Sequence, residues 1–398
     1  MTDDLLSSAQ RRVVAITWAT YAAFYLGRLN LSPALPLIAE SLDISLGEVG
    51  ILGMVFFWCF AAGQVINGQI GNYIRPHRLI FSGILLIALA NIAIAFQSSL
   101  WVMAVLSGVN GFAQAAGWGP MLRILSSHLA VSQKRRLSMV FSMSFPVGIA
   151  VTWGLSGLLI AVGGWRMVFW VPGIILIFVA LLWHWSGLDA EVNPTQQDSF
   201  QIQDFYQEIR QLSPLLVAAA AIGFIYIGIF LWLPTFIQEW DFLPQNTSHV
   251  LTALVPLVGI PGMLIAAMLL ARQSNLLRTI MTFLSALLTC LFFSAITVTG
   301  VQVVFVLMAV MIVSALAGLL LSSAPMLLAV DGRVSSAGGL LAAVWSISGG
   351  LASTIVGSVA ENSGWMAVFI LWIGFTLVAM GAIQIASHIM RQPREKPT

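Results

Sequence analysis

The hexapeptide GWRMVF at residues 164–169 recurs as GWMAVF at residues 364–369, 200 positions later. A second pair of similar segments combines a Leu-Pro dipeptide with a nearby glutamate: Leu35-Pro36 and Glu40, and Leu233-Pro234 and Glu239. A short match can arise by chance in a sequence this rich in apolar residues. Both pairs, however, fall at corresponding places along the chain, so they predict a protein built from two similar halves.

Apolar residues dominate both halves. Hydrophobic residues make up 59% of the 398 positions and charged residues only 8%, whereas a typical soluble domain has about 25% charged residues. A soluble fold of this size could not bury so much apolar surface, so lipid is the expected solvent. The net charge of +2 and the absence of a basic stripe in the sequence exclude nucleic acid as an expected partner.

Twelve segments are apolar enough to cross a hydrocarbon core about 30 Å thick, which takes about 20 helical residues. The first six predicted spans are 13–38, 48–70, 79–97, 100–123, 137–162 and 166–186; the second six are 213–237, 249–271, 277–298, 302–329, 337–360 and 366–389. A polar cytoplasmic linker is expected at 187–212, with a short surface helix at 200–212. The sequence therefore predicts an all-α membrane protein with two pseudo-symmetric six-helix bundles, at residues 1–186 and 213–398.

The basic residues set the expected orientation. With both termini in the cytoplasm, 14 of the 17 lysines and arginines lie on that side, in agreement with the positive-inside rule. The N-terminal residues lack the features of a cleaved signal peptide, so the first span is expected to stay in the protein. Nothing in the sequence argues for an oligomer, and a monomer is expected.

The sequence favours a non-enzyme without a cofactor or metal. It contains no nucleotide-binding loop, no helical His-Glu pair with metal spacing, and no serine or cysteine with a plausible base. Cys59 and Cys290 both fall in apolar segments, where cysteine usually acts as a small buried residue.

Arg28 is the candidate functional residue. At about 1.5 Å per residue it lies roughly 24 Å from Arg12 and roughly 18 Å from Glu40 along a helix, near the middle of the membrane. An arginine there costs several kcal/mol unless it faces a partner or an aqueous cavity. No acidic residue falls deep in a predicted span, so an anionic ligand, bound by the planar guanidinium, is the favoured interpretation. The alternative is a structural arginine that binds backbone carbonyls of neighbouring helices.

Further polar and aromatic residues form the predicted substrate site with Arg28. Tyr21 and Tyr25 share a helical face with Arg28 through i+4 and i+3 spacing. The other candidates lie in later spans: Gln64, Gln114, Trp118, Phe145, Tyr226 and Trp345. Individually, such residues more often form hydrogen bonds between helices than contacts to a ligand.

The run YAAFYLGRLN at residues 21–30, followed by Pro36, resembles the first helix of the organophosphate:phosphate antiporter family. That family, within the major facilitator superfamily, includes bacterial glycerol-3-phosphate and hexose-phosphate transporters. Further similar segments are GFAQ at 111–114, GWGP at 117–120, GIPG at 259–262 and SGW at 363–365. The resemblance covers nearly the whole chain. It implies the major facilitator fold, a bacterial inner-membrane location and transport by rocking of the two halves.

The sequence departs from the family at the residues that grip phosphate. The family uses an arginine in helix 1, which Arg28 matches, and one in helix 7, where this chain has Tyr226. A helix 2 lysine is replaced by Gln64 and a helix 5 histidine by Phe145, and Phe60 adds to the apolar character. One arginine compensates a dianion poorly in a low-dielectric site.

These departures favour a small-to-medium organic anion, either a carboxylate or a zwitterion, as the substrate. Two alternatives remain: organophosphate/phosphate antiport, as in the family, and a transporter-like membrane sensor. The scarcity of membrane carboxylates, the usual proton carriers, favours exchange or facilitated movement over proton coupling.

Overall fold

The computed structural model describes residues 7–70, 74–129, 141, 143–189, 202–239, 251–273, 275–297, 299–324 and 334–389. Helices are the only regular elements in these ranges. In the first half they are α1 (Ser8–Phe24), α2 (Leu31–Leu42), α3 (Leu46–Val49), α4 (Ile51–Ile70), α5 (Pro76–Ala95), α6 (Leu100–Gln114), α7 (Trp118–His128), α8 (Ser144–Gly163) and α9 (Met167–Ser186). In the second half they are α10 (Ile202–Gln238), α11 (Gly259–Gln273), α12 (Leu276–Ile296), α13 (Thr299–Gly318) and α14 (Val334–Ile389).

Ten helices in the described part of the chain are long and apolar enough to cross a membrane. Two differences separate this number from the twelve predicted spans. The first predicted span is interrupted at the 3₁₀ turn Tyr25–Gly27, so neither α1 nor α2 reaches membrane length. The last two predicted spans merge into α14, whose backbone is non-helical at Gly364. The count of twelve therefore stays a prediction.

The polar region between the halves also differs from the expectation. Instead of a separate surface helix at 200–212, α10 runs without interruption for 37 residues from Ile202 to Gln238. Helix formation is cooperative, so a polar segment joined to a strongly apolar one extends it at little cost. Residues 190–201 of the predicted linker lie outside the described residues.

Contacts divide the chain into two compact units, Met1–Asp198 with Phe230–Leu257, and Ser199–Ile229 with Val258–Thr398. The predicted boundaries at 186 and 213 remain a prediction. In the first unit, α6 packs along α4 and α5, and α9 packs along α5. In the second, α12 packs against α13 and α14, and α11 against α13.

Glycines allow the closest of these helix contacts. A Cβ atom on Gly111 of α6 would overlap the carbonyl oxygen of Phe56 on α4. In the second unit, a Cβ on Gly262 of α11 would overlap the carbonyl oxygen of Met311 on α13. Small residues at crossing points are how membrane helices gain van der Waals contact when lipid removes the hydrophobic drive between them.

The hexapeptide repeat is also a structural repeat. Gly164 has φ 77° and ψ −176°, and Gly364 has φ 74° and ψ 171°; glycine is essentially the only residue that adopts this region. After each glycine a valine and a phenylalanine are buried: Val168 and Phe169 in the first unit, Val368 and Phe369 in the second. Each glycine thus sets the direction of a helix that buries the same two residue types.

Two helices in the first half begin with a capping box. The hydroxyl of Ser7 accepts a hydrogen bond from the Gln10 amide before α1, and that of Ser45 accepts one from the Glu48 amide before α3. The backbone N–H and hydroxyl of Ser45 donate in return to the Glu48 carboxylate. Such reciprocal hydrogen bonds satisfy amides at the start of a helix that have no partner within it.

Replacement of either turn glycine by alanine is expected to destabilise the protein by about 1–3 kcal/mol, because a side chain strains this backbone conformation. The matched control is Gly374→Ala in α14, where the backbone is helical and, among the described residues, no atom beyond the local helix backbone and the two chain neighbours lies within 4 Å of a built Cβ. That control should be neutral or slightly stabilising, since alanine is the better helix former. Melting temperatures of the detergent-purified variants measure the difference, and equal values for Gly164→Ala and Gly374→Ala would contradict the strain.

Candidate functional site

Arg28 lies at the interruption of the first helix. Helix α1 ends at Phe24, the 3₁₀ turn Tyr25–Gly27 follows, and α2 starts at Leu31. Two residues explain the break: Gly27 has a low helix propensity, and Pro33 has no N–H to donate to the carbonyl of Leu29. The turn carries Arg28 out of the α-helical register, where it lies beside Tyr25, Phe60 and Gln114.

Three aromatic rings and one amide surround the Arg28 guanidinium. Its carbon Cζ lies 4.9 Å from the ring centre of Tyr25, 4.9 Å from that of Phe60 and 6.0 Å from that of Tyr21. Its Nε donates a hydrogen bond of 3.1 Å to Oε1 of Gln114. Arg28 is half-buried, so the cation sits among π faces that attract it.

A cluster of aromatic rings continues from this arginine. The Tyr21 ring centre lies 5.2 Å from that of Trp118, 5.4 Å from that of Phe145 and 5.5 Å from that of Phe141. The Trp118 ring centre is 4.9 Å from those of both phenylalanines. Trp118 and Phe145 are half-buried, while Tyr21 and Phe141 are buried. An arginine therefore stands at one end of a largely apolar aromatic surface.

The structure brings together six of the nine predicted site residues in the first unit: Arg28, Tyr21, Tyr25, Gln114, Trp118 and Phe145. Gln64 is half-buried on α4, one turn beyond Phe60. Tyr226 and Trp345 lie in the second unit, with ring centres 5.3 Å apart. Their part in a site shared with Arg28 stays a prediction.

The predicted site residues did not include Phe141 or the asparagines that contact the interrupted helix. Phe141 precedes Phe145 by four residues, which places two phenylalanines on one helical face; that spacing was a usable signal. Asn110 precedes Gln114 by the same interval, and both side chains donate hydrogen bonds to carbonyls of the first helix. Asn91, on α5, donates to the same carbonyl as Asn110.

The arrangement suits binding of an anion with an apolar part. The guanidinium supplies charge and hydrogen-bond donors, and the surrounding rings lower the local dielectric, which strengthens attraction to an anion. Within the described residues, no group of three His, Cys, Asp or Glu side chains could hold a metal ion. Cys59 and Cys290 are free thiols.

Membrane-length apolar helices, packed closely through glycines, define a polytopic membrane protein. The sequence profile of the Major Facilitator Superfamily matches residues 17–352. The chain belongs to this superfamily of membrane transporters.

Two relatives illustrate the range of similar proteins. A probable hexose phosphate transport protein of Chlamydia pneumoniae is 28% identical over 162 residues, 41% of this chain. The match spans only 36% of the chlamydial protein. The probable sulfoacetate transporter SauU of Cupriavidus necator is 22% identical over 378 residues, 88% of this chain and 87% of the relative.

A solved structure matches the fold along nearly the whole chain. It is the crystal structure of a bacterial homolog of the human lysosomal transporter Spinster, in an inward-facing and occupied conformation. The TM-score is 0.81 at 14% identity, and the alignment covers 99% of this chain and 100% of the other. At this identity the likeness establishes the fold alone.

Phe141→Ala is expected to lower the free energy of unfolding by about 3–5 kcal/mol, because it removes a fully buried ring that contacts Tyr21 and Trp118. Phe178→Ala is the matched control, since Phe178 is 62% exposed and its loss should cost about 0.5 kcal/mol or less. Thermal unfolding in detergent compares the two variants. A control as unstable as Phe141→Ala would contradict the packing role assigned to the cluster.

Proposed function

We propose that this chain is a secondary transporter that moves small-to-medium organic anions by alternating access, with Arg28 as the anchor for the anionic group. Carboxylates and zwitterions are the favoured substrates. The proposal includes a bacterial inner-membrane location with both termini in the cytoplasm, and a monomeric protein. It rests on the superfamily, on the place of Arg28 and on the chemistry around it.

The observation that carries the proposal is the enclosure of the Arg28 guanidinium by aromatic rings and Gln114. An arginine inside a membrane protein is costly, and the rings of Tyr25 and Phe60 surround this half-buried one with a region of low dielectric. In such a region a guanidinium attracts an anion strongly and repels a cation. The rings of Trp118 and Phe145 offer apolar contact to the remainder of the ligand.

The names of the relatives support an anionic substrate. Hexose phosphates carry a phosphate ester, and sulfoacetate carries a carboxylate and a sulfonate, so the shared feature is an anionic group on a small organic molecule. Both are dianions at neutral pH, so these names support the anionic class and not a single charge. The relative named for sulfoacetate matches over most of both chains. The hexose phosphate relative matches over 162 residues.

Organophosphate/phosphate antiport is the second candidate, and the hexose phosphate relatives favour it. Against it stand Gln64, Phe145 and Tyr226, three neutral residues where the resembling family has cationic or protonatable ones. A phosphate dianion would then face a single guanidinium, and the uncompensated charge would be costly in a low-dielectric site. A carboxylate matches the one positive charge.

The test is a thermal-shift screen of the purified protein against glucose 6-phosphate, glycerol 3-phosphate, inorganic phosphate, sulfoacetate, simple carboxylates and amino acids. Arg28→Ala should weaken binding of the stabilising anion about 30-fold or more, the effect of removing one partner of a buried charge pair. Arg28→Lys should be intermediate, since it keeps the charge and loses the planar fork. Arg166→Ala is the matched control, because Arg166 is exposed and stacks 4.4 Å from Trp165.

Each outcome of the screen separates the candidates. Stabilisation by carboxylates and not by phosphates supports the proposal, whereas stabilisation by phosphate esters favours the second candidate. Equal binding by Arg28→Ala and Arg166→Ala would refute the anchor role. Counterflow in proteoliposomes then distinguishes a transporter from a ligand-binding membrane sensor, which would bind the anion without moving it.

A further inference from the structure

The interruption of the first helix releases backbone carbonyls that a continuous helix would satisfy. In a regular helix the Arg28 amide would donate to the carbonyl of Phe24; here it donates to Tyr25 at 3.0 Å. The Phe24 carbonyl thus exchanges its α-helical donor for the poorer hydrogen bond of the 3₁₀ turn. Pro33 has no amide hydrogen to offer the carbonyl of Leu29. Because unsatisfied backbone groups cost several kcal/mol in a membrane interior, these carbonyls need donors from elsewhere.

Side chains of other helices supply the donors. Gln114 Nε2 donates to the carbonyl of Phe24 at 3.1 Å, and Asn110 Nδ2 donates to that of Gly27 at 2.6 Å. Trp153 Nε1 donates to the carbonyl of Leu29 at 3.1 Å. Gln114 and Asn110 stand one turn apart on α6, and Trp153 lies on α8. The break is thus held from two sides by side chains that are themselves buried.

A second layer of amides supports the first. Asn91 Nδ2 lies 3.4 Å from the Gly27 carbonyl and 2.9 Å from that of Ile87, in its own helix. Asn30 donates to Asn91 Oδ1 at 2.8 Å and to the carbonyl of Val168 at 3.0 Å. Both asparagines are buried. The network fixes the chain on both sides of Arg28 against α5, α6 and α9.

Gln114 joins this network to the guanidinium. Its amide nitrogen holds the Phe24 carbonyl at the start of the break, while its oxygen accepts from Nε of Arg28 at 3.1 Å. The same nitrogen lies 3.5 Å from Oδ1 of Asn110. One side chain therefore connects the backbone conformation at residues 24–28 with the direction of the arginine side chain.

We propose that Asn110 and Gln114 are positioning residues, which hold the interrupted helix in its 3₁₀ turn and thereby aim Arg28 at the bound anion. This inference rests on the proposed function, in which Arg28 is the anchor. Both amides act on anion binding through Arg28, because they fix the backbone and the side-chain direction of the anchor. Loss of either amide should let the segment 24–31 relax and should weaken anion binding with little change in global stability.

Hydrogen exchange of the full-length protein in detergent tests the structural part of the proposal, that the two amides hold the interrupted helix. Asn110→Leu keeps the side-chain size and removes the donor, and Gln114→Met does the same at the second position. In both variants, amides in residues 24–31 should exchange about tenfold faster, the effect expected for one lost buried hydrogen bond. Ser156→Ala is the control, since the Ser156 hydroxyl bonds to Thr152 within its own helix. Unchanged exchange at 24–31 in both amide variants would overturn the proposal, as would an increase spread over the whole chain.

Binding of sulfoacetate and of simple carboxylates, the class that the proposed function favours, tests the functional part of the proposal. Asn110→Leu should raise Kd about tenfold over the Ser156→Ala control at a similar melting temperature. In the Arg28→Ala background it should change Kd no further, because it acts through the arginine. Loss of binding in Arg28→Ala with full binding in Asn110→Leu would overturn the positioning role and leave the proposed function standing. Wild-type binding in Arg28→Ala would overturn the proposed function itself, whatever the exchange rates show.

Discussion

Backbone hydrogen bonds must be satisfied inside the protein wherever water is absent, and this constraint governs the first helix. A continuous helix satisfies its own carbonyls, so an interruption at Tyr25–Gly27 is affordable only where other side chains replace the missing donors. The amides of α5 and α6 and the indole of Trp153 are placed to do so. The place of Arg28, and with it the candidate site, depends on this exchange of helical for side-chain hydrogen bonds.

The same constraint explains why so many polar side chains are buried in an apolar chain. Asn30, Asn91, Asn110 and Gln114 are each 5% exposed or less, yet each donates a hydrogen bond of 3.1 Å or shorter. A buried amide with both functions satisfied adds specificity to helix packing, whereas an unsatisfied one would be a net cost. These four amides thus form one network that converges on the helix break.

Hydrophobic runs were sufficient to predict most of the fold. The predicted span 166–186 lies within one residue of the helix Met167–Ser186, and 277–298 within two of Leu276–Ile296. The interruption of the first helix was not predicted, because average hydropathy is the same for a straight and a broken helix. Gly27 and Pro33 were the local signals for it.

Arg28 and five of its predicted companions converge in the structure. They could be predicted because helical spacing and intramembrane charge are both visible in the sequence. Phe141 was missed because its one sequence signal, the four-residue spacing to Phe145, is shared by many apolar residues within the spans.

The two turn glycines at 164 and 364 limit how the halves can diverge. In the part of the chain that the structure describes, no atom beyond the local backbone and the two chain neighbours lies within 4 Å of a Cβ built on either residue, so the penalty for substitution comes from the backbone torsion and not from crowding. A neighbouring side chain that becomes smaller can relieve a steric clash, but it cannot relieve a torsion. Second-site suppressors of substitutions at these glycines should therefore be scarce, and the two positions would stay fixed while the residues around them drift.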